Sequence, residues 1–126
     1  WRALESGGGG LRVAGQLDSA LIRASEAAAK VTIPEARLAH ILERHALDTT
    51  ALNVGRFARE INVPHLIVQA VRSDASLIRP NTLGRAGYIF EHTFSFPIGV
   101  TRYEQSTNTL VVIVRENGQV FTAFPR

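Results

Sequence analysis

The chain contains no cysteine and no methionine. Without cysteine it has no disulfide framework, no thiolate nucleophile and no cysteine–zinc site. Lysine occurs once, at Lys30, so thirteen arginines supply nearly all the positive charge. No run approaches the roughly 18 apolar residues that a membrane-crossing helix requires, and the first residues lack the pattern of a signal peptide. The motifs G-x-x-x-x-G-K-[ST], G-x-G-x-x-G after a strand, H-E-x-x-H and G-x-S-x-G are missing too. Phosphate-loop, dinucleotide-fingerprint, zincin and nucleophile-elbow chemistry therefore have no sequence support. The chain opens at Trp1 instead of methionine and soon reaches Gly7-Gly8-Gly9-Gly10. We read residues 1–16 as a flexible junction to a longer protein and residues 17–126 as a single domain.

What is present begins with 126 residues, enough to bury a core, and a net charge of +3. Arginine forks phosphates and stacks on bases. A GC-rich genome also writes arginine for lysine, so the charge favours an anionic partner without identifying it.

The segment Thr32–His45 predicts a short helix bearing two histidines. Thr32 and Glu35 have capping-box spacing, and Pro34 suits a first turn. Leu38, Ile41, Leu42 and His45 recur at i, i+3, i+4 and i+7, which is one helix face. At about 100° per residue His45 falls inside this apolar stripe, with His40 roughly 140° away beside Arg37 and Arg44. That separation does not suit a metal pair, which wants i, i+4 spacing on one face. His45 has a plain structural reading as a packed helix-end residue that complements the dipole, and His40 one as a solvated residue. An aliphatic side chain would pack in the stripe at lower polar cost, which makes His45 the better functional candidate.

The rest of the chain divides in two. Residues 17–30 predict a helix capped by Asp18 or Ser19. Gly55-Arg56-Phe57 predicts a turn or short helical turn. Val63-Pro64 opens a helix whose apolar face is Leu66, Ile67, Ala70 and Val71, ending near Asp74. From Ile78 onward Thr, Val, Phe and Ile dominate, predicting strands near 86–96, 98–105, 109–115 and 119–124, with a hairpin signal at Asn117-Gly118. Tyr88, Phe90, His92, Phe94 and Phe96 alternate onto one face. On the last strand Thr122 shares a face with Val120 and Phe124. The expected fold is α+β: three N-terminal helices packed on one face of a four-stranded antiparallel sheet, with the other face free to form a concave surface.

Acid–base chemistry without cysteine has His40, His45 and His92 to draw on, with the hydroxyls of Tyr88, Thr93, Ser95 and Thr122. Arg56, Arg85, Arg102 and Arg115 can neutralise phosphate. Metal-independent RNA cleavage needs little more: one group takes the 2′-hydroxyl proton, another protonates the 5′-oxygen, and donors hold the phosphorane. Many domains contain such residues. A non-catalytic module binding single-stranded RNA through the aromatic strand is the competing reading, and core packing is the ordinary use of those aromatics. An enzyme acting on another phosphodiester or nucleotide is a third.

Several stretches carry a family likeness: His40-Ile-Leu-Glu-Arg-His45, Gly55-Arg56-Phe57, Leu66–Val71, Gly87–Glu91, Pro97-Ile98-Gly99, Leu110–Val114 and the closing Gly118–Pro125. Together they resemble the toxin domains of the barnase/EndoU/colicin/RelE-like (BECR) nuclease fold. Such domains end bacterial contact-dependent-inhibition (CdiA) proteins and other polymorphic toxins. The resemblance spans most of the chain, residues 30–125. It implies an antibacterial ribonuclease, often acting on tRNA, carried on the tail of a secreted or cell-surface protein into the cytoplasm of a target bacterium. It implies a cognate immunity protein and, as in some relatives, elongation factor Tu as a helper; no cofactor and no membrane are expected. By motif position the catalytic residues would be His45 or His40 with Thr122, and Arg56 would hold phosphate. Tyr88 is a further catalytic candidate, and Arg85, Arg115 and His92 further substrate-binding ones. The chain lacks the second histidine in a glycine-rich loop that EndoU enzymes carry, and Lys30 precedes the motif helix, so neither an EndoU nor a lysine-based mechanism is implied.

Overall fold

A computed structural model describes residues 15–47, 49–81 and 86–126, with helix side chains from Ser19 onward. Arg85 and most of the 1–16 junction lie outside the described residues. Three helices are present among them: α1 (Gly15–Ala29), α2 (Glu35–His45) and α3 (Val63–Arg72). The strands are β1 (Arg56–Phe57), β2 (Leu77–Pro80), β3 (Tyr88–Thr93), β4 (Gly99–Val100), β5 (Ser106–Thr107), β6 (Thr109–Val114) and β7 (Val120–Pro125). The fold is α+β, with helices packed on an antiparallel sheet of order β2-β3-β6-β7 and a smaller sheet of order β1-β4-β5.

The apolar spacing explains the packing. On α3, Val63, Leu66, Ile67, Ala70 and Val71 are all buried, and the helix lies over β3 and β6. Its start is fixed by Asn62, whose side chain accepts a 3.1 Å hydrogen bond from the His65 amide. Leu21, Ala24, Ala27 and Ala28 bury one side of α1; the small alanines let it approach α3 and β2 closely. Tyr88, Phe90 and Phe94 are buried in this same core, whereas Phe96 is exposed. The aromatic face is therefore interior, not a platform for stacking bases.

The four-stranded sheet differs from expectation in membership. One outer strand is β2, which lies before the first predicted strand and pairs with β3. The predicted strand 98–105 breaks after Val100, where Thr101–Glu104 makes a turn (Glu104 N to Thr101 O, 2.9 Å) with Glu104 at φ 63°. Gly55-Arg56-Phe57 is not a helical turn: Arg56 and Phe57 pair with Val100 and Gly99 as a strand. Gly99 permits this approach, since a Cβ there would lie 2.1 Å from the Arg56 carbonyl oxygen.

The capping box does not form. Helix α2 starts at Glu35, Pro34 holds the N-cap position, and no side chain caps it. Thr32 instead joins the sheet: its amide donates to Gly118 O at 3.0 Å, and Val120 N donates to Thr32 O at 2.9 Å. Arg37 Nε continues along the same edge to Phe121 O at 2.7 Å. The free edge of β7 is thus covered by the chain entering α2 and by α2 itself, which removes a template for strand pairing. Helix α1 already begins at Gly15, so Asp18 and Ser19 lie within its first turns, not at its cap.

One irregularity in β7 sets up the site. Ile113 pairs with Thr122 and Val114 with Val120, leaving Phe121 as an extra, bulged residue. The bulge flips the alternation. Val120, Ala123 and Pro125 are buried, while Phe121, Thr122 and Phe124 are only partly so. Thr122 therefore keeps company with Phe124 but not with Val120.

Candidate functional site

A cleft of about 790 Å³ opens between the C-terminal end of α2, residues 53–55, the loop 101–105 and the outer part of β7. It is lined from α2 by His40, Arg44 and His45, from the loop by Thr101, Arg102, Tyr103 and Gln105, from β7 by Phe121, Thr122, Phe124 and Pro125, and by Arg126 just after it. Both histidines line it. Their 140° separation on the helical wheel does not part them, because the cleft wraps around the helix end. Among the described residues, three arginines and no acidic side chain line the cleft, so its field favours an anion.

His45 is 7% exposed, and its Nδ1 lies 2.8 Å from the carbonyl oxygen of Gly55. A carbonyl only accepts, so Nδ1 carries the hydrogen and Nε2 is the basic atom of the neutral ring. Phe124 packs against the ring at a centroid distance of 5.7 Å. Burial holds the His45 pKa below the ordinary histidine value; the Gly55 hydrogen bond opposes this, and the nearby Arg44 and His40 charges reinforce it. The ring is thus neutral, in one tautomer, near pH 7.

The Gly55 contact depends on a close approach. A Cβ at Gly55 would lie 2.3 Å from the Pro125 carbonyl oxygen. Only glycine lets residues 53–55 lie between β7 and α2 and turn a carbonyl toward His45. Asn53, also on the cleft wall, has φ 58°. Thr122 is half-buried on the wall, and its hydroxyl makes no hydrogen bond among the described residues.

The other candidates lie elsewhere. Tyr88 is a core residue at 6% exposure, away from the cleft. His92 sits in a separate groove by the end of α3. Its Nδ1 is 3.0 Å from Ser76 Oγ, and that hydroxyl donates to Ala70 O, so the pair satisfies the helix end. Burial lowers the His92 pKa as well. Arg56 is tied to Glu104 by a 2.6 Å ion pair and braces the 101–105 loop from outside the cleft. Arg115 is outside the lining, its guanidinium 5.3 Å from the Phe121 ring centroid. Arg85 lies outside the described residues.

Sequence reasoning missed Arg44, Arg126, Tyr103 and the Gly55 carbonyl as parts of the site. Arg44 was within reach, since it stands four residues after His40. Arg126 follows the last motif residue and carries no pattern of its own; in the structure it also contacts Glu91 at 3.2 Å.

Among the described residues no group of three His, Asp or Glu side chains could hold a metal ion, and no helix is long and apolar enough to cross a membrane. No protein-family model, curated protein or solved structure matches the chain.

Proposed function

We propose that this domain is a ribonuclease that uses His45 as its general base. The observation carrying the proposal is a buried histidine, its Nδ1 held by the Gly55 carbonyl, in a cleft lined among the described residues by three arginines and no acidic side chain. A phosphodiester supplies the anion that such a lining favours, and the 2′-hydroxyl of RNA supplies the proton that His45 is prepared to take.

In this scheme Nε2 of His45 removes the 2′-hydroxyl proton while the 2′-oxygen attacks phosphorus. A new O2′–P bond forms and the P–O5′ bond breaks. His40, on the same wall, gives its proton to the departing 5′-oxygen. Arg44 and Arg102 neutralise the charge that builds on the equatorial oxygens, and the Thr122 hydroxyl donates to one of them. The products are a 2′,3′-cyclic phosphate and a free 5′-hydroxyl. Every group in the scheme lines the one cleft.

The resemblance to polymorphic toxin nucleases extends the proposal. The RNA would be tRNA in a competing bacterium, reached as the tail of a larger secreted or cell-surface protein. A cognate immunity protein would block the cleft in the producing cell, and elongation factor Tu is the helper to try first. Helices followed by an antiparallel sheet are compatible with that reading. The deciding experiment incubates the purified domain with tRNA in EDTA and maps product ends. Cyclic phosphate ends that vanish in His45→Ala support the proposal; intact tRNA retained without cleavage supports a binding module in its place.

A further inference from the structure

The bulged Phe121 holds two cations outside the catalytic cleft. Arg37 lies over its ring, 4.3 Å from guanidinium carbon to centroid, and Arg115 approaches the same ring at 5.3 Å. Neither arginine has a carboxylate partner among the described residues. Arg37 is also anchored, because its Nε donates to Phe121 O at 2.7 Å. It cannot swing into the cleft without giving up both contacts. Phe121 meanwhile lines the cleft, so the two cations border the site without belonging to it.

Helix α2 joins the two regions. Arg37, His40 and Arg44 recur at i, i+3 and i+7 along one side, and His40 and Arg44 line the cleft. At about 1.5 Å per residue the axial distance from Arg37 to Arg44 is about 10 Å. One phosphate in the cleft therefore cannot also engage the pinned Arg37, which needs a donor–acceptor separation near 2.8 Å.

We propose that Arg37 and Arg115, gathered on Phe121, form a second phosphate subsite, so that the ligand is a nucleic-acid strand bound through at least two phosphates. This rests on the reading of the cleft as a phosphodiester site. Cleavage at His45 then requires a strand that continues past the scissile bond and along α2, and a mononucleotide or dinucleotide is a poor ligand. The bulge serves the subsite by turning Phe121 out of the core, where its ring organises both guanidiniums.

The test uses 2′-O-methyl uridine oligomers, which lack the nucleophile and survive contact with the intact protein. Affinities of uridine 3′-monophosphate and of the hexamer are measured across a salt series for the native chain, Arg37→Gln and Arg115→Gln. The native chain should bind the hexamer at least tenfold more tightly than the monophosphate. Each variant should lower the slope of log K against log salt for the hexamer by about 0.7, the loss of one single-strand phosphate contact, with monophosphate affinity unchanged. Equal native affinity for hexamer and monophosphate would overturn the proposal. So would an unaltered slope in variants that melt as the native chain does, or a polyglutamate peptide binding as tightly as the hexamer. If Arg37→Gln does not fold, Arg115→Gln and the native length comparison decide. Length-dependent binding without tRNA cleavage would sink the ribonuclease reading and leave the subsite standing; cleavage without length dependence would do the reverse.

Discussion

His45 Nδ1 and the Gly55 carbonyl oxygen stand 2.8 Å apart across the floor of the cleft. The contact joins the end of α2 to the residue entering β1 and selects one tautomer of a buried ring. It explains why a histidine, costly among apolar neighbours, can occupy the inner stripe of the helix: one nitrogen is satisfied by the backbone. The other keeps its lone pair. The same burial that covers the ring lowers its pKa and keeps it neutral near pH 7.

On the proposed ribonuclease reading, the rate of RNA cleavage should report on His45 directly. His45→Ala should lower kcat by about 10²–10⁴-fold, the usual loss on removing a general base, with the far-ultraviolet spectrum retained. As the base must be neutral, kcat/KM should rise with pH through an acidic limb below the ordinary histidine value of about 6.5. Arg44 contributes to that depression, so Arg44→Gln should move the limb upward. A limb that stays in place, or a fully active His45→Ala, would show the ring to be structural.

Gly55→Ala should destabilise the fold and weaken catalysis together. The new methyl would meet the Pro125 carbonyl oxygen at 2.3 Å, backbone against backbone, with no flexible side chain to yield. Overpacking of this kind costs about 1–3 kcal/mol, and relief requires the 53–55 segment to retreat from β7, carrying the His45 partner with it. Urea denaturation gives the first effect and the pH–rate profile the second. An alanine variant with native stability would mean that residues 53–55 shift freely.

Much of this architecture was legible in the sequence, and the exceptions share a cause. The 3.6-residue spacing of apolar residues located α2 and α3, and alternation located β3, because those patterns record which side of an element meets the core; alanine and leucine content marked α1, and the Asn117-Gly118 turn signal marked β6 and β7. His45 is singled out by the same logic, as the polar residue in an apolar stripe, and the structure buries it. What stayed hidden depends on partners distant in sequence. Thr32 looks like a helix cap until β7 claims its backbone. Arg56 looks like a phosphate ligand until Glu104 arrives from 48 residues away. His40 looked remote from His45 on a wheel because the wheel cannot show a cleft that curves around a helix end. The bulge at Phe121 leaves no mark in composition, yet it decides which side chains of β7 face the cleft.

Thr122→Val tests the sheet side of the cleft. Valine keeps the shape and removes only the hydroxyl. A hydrogen bond to a charged group is worth about 1.5–3 kcal/mol, so kcat should fall by about 10–10²-fold with little change in KM. Loss of binding with kcat preserved would place the hydroxyl on the ground-state substrate instead. His40→Ala belongs in the same series. Because His40 lines the same cleft, its loss should lower kcat, whereas loss of a merely solvated His40 would leave kcat unchanged.

The depressed histidines also make stability depend on pH, and the sign is fixed. The His45 and His92 pKa values are lowered by burial in the folded chain, while in the unfolded chain they return to the ordinary value of about 6.5. Below that value the unfolded state binds more protons than the folded one, so stability rises with pH across this window. It should be fully present above about pH 6.5 and decline as pH falls toward the lowered native values. Urea midpoints at pH 7.5 and 5.5 should differ in that direction. His45→Gln, which cannot titrate, should shrink the difference, and His92→Gln should shrink it further when combined. An equal difference in all variants would assign the acid sensitivity to the carboxylates and remove the histidines from the account.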